Sequence, residues 1–296
     1  MNKNKEKLNK NWSRSKFLSS LNKDAKELFE IWLNSNGYSV KMTSYFSTYA
    51  ELLSKFRKKK CTLVEIGVLD GGSLFMWRKW LGNDARIIGI DLNPKAKLLE
   101  KYGFEIFVGN QADASFWKKF YAKVSKIDIL IDDGGHQSFQ QIMSVYSAIC
   151  NLNSECLVIV EDTATSFYTH MSSFHKKNSF LEFAKDSTDI LTVKEREMRP
   201  QRWPKFINEN ILTAFKNVQS IQFFSGIVSF TVNPHNIEPS IAVNNRLKTE
   251  YKDDYRKSGE IKGIEIEWPS PFRKEIVKIE GENLVDTTRY SKIKFK

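Results

Sequence analysis

Between Ile131 and Phe139 the chain reads IDDGGHQSF, so Asp132, Asp133 and His136 follow directly on the apolar run Ile127–Asp128–Ile129–Leu130–Ile131. A turn after a buried strand needs glycines, not two carboxylates and an imidazole. An imidazole near its usual pKa of ~6.5 can take a proton. Clustered carboxylates repel one another unless a hard cation joins them, and oxygen-rich ligation suits Mg²⁺ or a similar ion. A second acidic pair, Glu161-Asp162, ends the run CLVIVED.

Other apolar runs end the same way. The first ends in EIGVLDGGS, Glu65 to Ser73, the second in Asp91, and the third in GNQAD, with Gln111 and Asp113. Ligands bind beyond the carboxyl ends of strands in an open parallel sheet, so these are the positions to read. In EIGVLDGGS the glycines let backbone approach a ligand closely. The loop is not GxGxxG: Gly67 and Gly71 are four apart and Gly72 follows directly. No Walker motif occurs, and Glu65 would oppose a pyrophosphate but suit a cationic ligand. Asp91, 24 positions after Gly67, can accept both hydroxyls of a ribose or can cap the turn before Asn93-Pro94. Asp113 could meet an adenine amino group or N-cap the helix that follows. Asp132 is open between a cofactor contact and a structural role.

The elements that would position these residues come from periodicity. Strand-like runs are expected at Cys61–Gly67, Arg86–Asp91, Phe104–Gly109, Ile127–Asp132 and Cys156–Asp162, with helices near 73–81, 94–101, 113–124 and 138–150. Unbroken apolar strands are covered on both faces, and the alternation predicts an α/β fold with a mainly parallel sheet. VQSIQFFSGIVSFTVN, Val218 to Asn233, predicts an antiparallel hairpin turning at Ser225-Gly226 and completing one sheet edge. Two helices are expected within 24–58, separated by Gly37. The predicted organisation is a basic helical extension over 1–60, a core over 61–233 with an aromatic-rich cap inserted at about 163–212 (including RPQRWP, Arg199 to Pro204), and a tail over 234–296 whose structure is not legible.

Composition bounds the class. Of 296 residues, 41% are hydrophobic and 13% aromatic, enough for a sizeable core. Residues 1–60 carry 14 Lys/Arg against 5 Asp/Glu, or +9 of the net +11. Such an arm could touch nucleic acid, anionic lipid or an acidic polysaccharide, or simply be solvated surface. Cys61, Cys150 and Cys156 form no CxxC motif and read as free thiols in a reducing compartment. With no secretory h-region at the N-terminus and no long apolar run, the expectation is a cytoplasmic protein with no membrane span.

Taken together, EIGVLDGGS, GIDLNP, GNQAD, IDDGGH and VED resemble the motifs of class I S-adenosylmethionine-dependent methyltransferases. Within that class they are similar to the metal-dependent macrolide-sugar O-methyltransferases, the mycinamicin 2''-O-methyltransferase relatives. The likeness covers about residues 60–165 and the closing hairpin. It implies a Rossmann-like seven-stranded sheet, mostly parallel, with an antiparallel C-terminal hairpin and helices on both faces. It implies S-adenosylmethionine as cofactor, met by Glu65, Gly67, Gly71, Ser73, Asp91, Gln111, Asp113 and Asp132. It implies Mg²⁺ or a similar divalent ion on Asp133, Glu161 and Asp162, with His136 as general base beside Asp133. The expected acceptor is a small molecule or saccharide hydroxyl, and a homo-oligomer is compatible with the sequence. One departure is Asn153-Ser154-Glu155 before the fifth strand, where the family often has a Gly-Gly turn. The alternatives are an RNA methyltransferase using the basic arm, and a non-catalytic scaffold. Nucleic acid is not the expected partner, because no NPPY/DPPY motif and no RNA-binding module are recognisable.

Overall fold

The computed structural model describes residues 13–168, 178–193 and 214–235, together with the strands at 265–270 and 273–278. Among the described residues, the first compact unit holds seven α-helices, α1 (Arg14–Ser20), α2 (Lys23–Leu33), α3 (Tyr45–Leu53), α4 (Gly72–Leu81), α5 (Ala114–Lys123), α6 (Ser138–Asn151) and α7 (Phe180–Val193). Its strands are β1 (Thr62–Ile66), β2 (Arg86–Asp91), β3 (Glu105–Val108), β4 (Ile129–Asp132), β5 (Cys156–Val160), β6 (Val218–Phe224) and β7 (Ile227–Val232).

These strands form one sheet in the order β3-β2-β1-β4-β5-β7-β6. The first five are parallel, and β7 pairs antiparallel with β5 and with β6. The hairpin expected at 218–233 is therefore the sheet edge. The strand order reverses direction at β1, so β1 and β4 flank the crevice where such sheets bind ligands.

The period of two along each strand explains why both faces are covered. Leu63, Ile87, Ile129, Ile131, Leu157 and Ile159 pack with α2, α3 and α4. Their neighbours Val64, Ile66, Ile88, Ile90, Leu130 and Val158 pack with α5, α6 and α7. At about 1.5–3 kcal/mol for each fully buried large aliphatic side chain, these two layers dominate the sheet's stability.

One expected helix differs. Residues Pro94–Tyr102 form 3-10 turns instead of an α-helix. Only Ala96 and Leu99 are buried there. Side chains three apart eclipse in a 3-10 helix, so this spacing suits it. Within the expected cap, a 3-10 turn spans Thr163–Phe167 and α7 follows; RPQRWP lies outside the described residues. The unplaced tail contains an antiparallel pair, β8 (Glu265–Ser270) and β9 (Arg273–Lys278), in a second compact unit, 242–296. No helix among the described residues is long and apolar enough to cross a membrane.

Candidate active site

The carboxyl ends of β1, β2, β3 and β4, with the loop after β5, surround a cavity of ≈ 620 Å³. Its wall includes Gly67, Ser73, Asp91, Gln111, Asp133, His136 and Asp162, all singled out from the sequence.

The wall is held by the site residues themselves. Gly67 sits at φ 86°, and a Cβ there would lie 2.0 Å from the Asp133 carbonyl oxygen. Only glycine lets the β1 and β4 loops approach this closely. Asp91 Oδ2 accepts from the backbone N–H groups of Val68 (2.8 Å) and Leu69 (3.3 Å), and Oδ1 accepts from Asn93 N–H (2.7 Å). The Asp91 carboxylate thus laces the first two loops together at the cavity edge. Gln111 Nε2 donates to both oxygens of Asp132 (3.0 and 3.1 Å), while its Oε1 accepts from Gly135 N–H (2.9 Å).

Four of the expected contacts stand outside the cavity wall. Asp132 is fully buried; burial pushes its carboxyl above the usual range, and hydrogen bonds from Ser144, Gly134 and Gln111 oppose that. Asp113 is exposed and N-caps α5 through Ser115 N–H (2.8 Å), the capping alternative of its two readings. Gly71 is the left-handed N-cap of α4. Glu65 is buried one layer behind the cavity, its Oε2 accepting from Ser73 Oγ (2.7 Å).

The acidic groups expected to share a metal ion divide into two sets. Asp133, His136 and Asp162 each offer a ligand atom, all within 4.8 Å of one another. His136 Nε2 lies 3.5 Å from Asp162 Oδ2 and 3.9 Å from Asp133 Oδ1, and the buried His136 Nδ1 has no hydrogen-bond partner among the described residues. Glu161 is turned inward and completely buried. Its oxygens accept from Lys41 Nζ (2.9 and 3.1 Å) and from Tyr49 Oη (2.6 Å).

Lys41, Tyr45 and Tyr49 were not singled out as site residues from the sequence. Lys41 Nζ also donates to Asp133 Oδ2 (2.7 Å) and lies 3.4 Å from Glu65 Oε1. Burial lowers its pKa, but the surrounding negative charge, led by Asp133 and Glu161, more than reverses this and holds it well above the ordinary value. Tyr45 Oη donates to Asp162 Oδ1 (2.6 Å). The segment carrying Lys41 crosses the start of α4, where a Cβ on Gly72 would meet Ser39 and Tyr38 at 2.8 Å. A signal was present: Lys41 is the single charged residue between Ile31 and Ala50.

Backbone strain concentrates at the same place. Leu69 (φ 50°), His136 (φ 57°) and Asp162 (φ 53°) are left-handed non-glycine residues, and all three line the cavity. Such conformations cost of order 1–3 kcal/mol each and persist where surrounding contacts over-determine them. Thr165 Oγ1 supplies one such contact, bridging the carbonyl oxygens of His136 (2.9 Å) and Asp162 (2.8 Å).

No family model matches the chain. Among curated proteins, it is 30% identical over 132 residues to the 8-demethyl-8-alpha-L-rhamnosyl tetracenomycin-C 2'-O-methyltransferase of Streptomyces olivaceus, covering 42% of this chain and 34% of that one. It is 24% identical over 180 residues to the mycinamicin VI 2''-O-methyltransferase of Micromonospora griseorubida, covering 56% and 45%. The chain therefore spans less than half the length of either relative. The solved MycE methyltransferase of the mycinamycin pathway, in complex with Mg, SAH and mycinamycin VI, superposes with a TM-score of 0.58 at 19% identity, over 71% of this chain and 53% of that one. The fold is thus the methyltransferase sheet, and the resemblance carried by the motifs is to the sugar O-methyltransferases.

Proposed function

We propose, from that likeness and from the geometry of the cavity, that the chain is an S-adenosylmethionine-dependent O-methyltransferase acting on a hydroxyl of a glycosylated small molecule. The observation that carries the reading is the convergence of His136, Asp133 and Asp162 on one cavity that the glycine-rich β1 loop and Asp91 also line.

The roles follow from position. Asp91, at the end of β2, and Gln111, after β3, stand where the ribose and adenine of the donor would lie. The glycine loop gives the donor close backbone approach. His136 takes the proton of the acceptor hydroxyl at Nε2. The acceptor oxygen then bonds to the sulfonium methyl carbon as the carbon–sulfur bond breaks, leaving S-adenosylhomocysteine and a proton on His136. Holding the two reactants in line supplies much of the rate.

Hard oxygen donors on Asp133 and Asp162 beside an imidazole fit a divalent ion such as Mg²⁺. Its contribution when bound is to gather the acceptor's hydroxyls and lower the pKa of the reacting one. Val40, Met42, Leu69 and Leu92 line the cavity yet are largely exposed. An apolar rim of this kind suits an acceptor with a hydrophobic body behind its sugar.

The test is transfer of labelled methyl from S-adenosylmethionine to a panel of glycosides, with and without chelator. Chelation should silence wild type, and added Mg²⁺ should restore it. His136→Ala should abolish turnover while sparing donor binding. Turnover that survives both chelation and His136→Ala would refute the mechanism. The RNA and scaffold alternatives gain no specific support from the described residues.

A further inference from the structure

We infer that Lys41 is a built-in cation that divides the acidic cluster, so that Glu161 acts through the lysine and is not a ligand of the divalent ion; the inference rests on the metal-assisted reading above. Lys41 Nζ sits between Glu161, Asp133 and Glu65 at 2.9, 2.7 and 3.4 Å, with its side chain completely buried. Both Glu161 oxygens are taken by donors from the N-terminal segment, Lys41 and Tyr49. The atoms left facing His136 Nε2 are Asp133 Oδ1 and Asp162 Oδ2.

A dication arriving from the cavity therefore meets Asp133 and Asp162 first, with an ammonium between it and Glu161. Two cations sharing one carboxylate repel, and the repulsion is large where water is excluded. Asp133 is the bridge, giving Oδ2 to Lys41 and presenting Oδ1 toward the open side. Lys41 is in this sense a positioning residue. It fixes which oxygens remain for the metal, and it commits residues 38–42 to the site. Those residues alternate, with Ser39 and Lys41 turned inward and Tyr38, Val40 and Met42 exposed.

The test is Mn²⁺ binding to the full chain, read by calorimetry and by the Mn²⁺ resonance spectrum, with no turnover involved. Asp162→Asn should weaken Mn²⁺ by about a hundredfold, as loss of a ligand. Glu161→Gln should weaken it by no more than about fivefold, a charge effect at a distance. Lys41→Met should tighten Mn²⁺ by about tenfold, by removing the competing charge and freeing Glu161. Adding Glu161→Gln to Lys41→Met should erase that gain. Glu161→Gln costing as much as Asp162→Asn would overturn the inference while leaving the metal reading intact. Mn²⁺ that binds neither wild type nor Lys41→Met would remove the metal reading and this inference together, and wild-type binding of S-adenosylhomocysteine tests the donor reading apart from both. If Lys41→Met fails to fold, the comparison of Glu161→Gln with Asp162→Asn decides alone.

Discussion

Gly67→Ala tests how the two central loops are joined. The new methyl group would need φ 86°, and it would stand 2.0 Å from the Asp133 carbonyl oxygen and 2.7 Å from its carbon. Left-handed backbone costs an L-residue about 1–2 kcal/mol. Overpacking against a backbone that is itself hydrogen-bonded costs about 1–3 kcal/mol more. The partner cannot yield easily, because Asp133 N–H is bonded to the Ile66 carbonyl (3.0 Å) and Gly67 N–H to that of Ile90 (2.8 Å). Gly103→Ala is the matched control, with φ 81° and nothing within 4 Å of the added Cβ. It should lose the backbone term alone, so the two variants should differ by about 1–3 kcal/mol. For a unit of this size that is roughly a 2–12 °C gap in Tm, measured by thermal unfolding monitored by circular dichroism. Gly67→Ala should also weaken S-adenosylhomocysteine binding, which Gly103→Ala should spare. Identical melting of the two variants would refute the close packing of the loops.

Two further predictions rest on buried groups. Tyr49→Phe removes the 2.6 Å hydrogen bond to Glu161 and should cost about 1.5–3 kcal/mol in denaturant unfolding, the worth of a buried bond to a charged group; unchanged stability would contradict the inward orientation of Glu161. Cys61 and Cys156 are buried and Cys150 is exposed. Burial pushes the Cys61 thiol up to about 11 and that of Cys156 higher still. Alkylation of the native chain at mildly alkaline pH should therefore label Cys150 first among the three, with the other two reacting only after denaturation.

The sheet was legible because its strands are apolar on both faces, so that runs such as Leu63–Ile66 and Leu157–Val160 stand out against the amphipathic helices between them. The position of the site was legible too, since each parallel strand ends in polar or acidic residues and the topology brings those ends together. The partition of the acids was not. Nothing in the spacing of Asp133, Glu161 and Asp162 says that Glu161 turns toward α3 while the other two face His136. That outcome depends on Lys41 and Tyr49, which lie 120 and 112 residues away from it in the chain. Tyr45 and Tyr49 read as apolar-face residues of a helix because their rings are core, and only their hydroxyls reach the cluster. Asp113 follows a strand and Asp132 ends one, as a cofactor contact would, but the local demands of an N-cap and of Gln111 claim their carboxylates.

The proposed function requires the cavity at the β1–β4 crevice to hold the methyl donor. Titration calorimetry of the wild-type chain with S-adenosylhomocysteine tests it most directly. Saturable one-to-one binding, weakened by Asp91→Ala, is the expected result. No heat and no thermal stabilisation at millimolar ligand would contradict it.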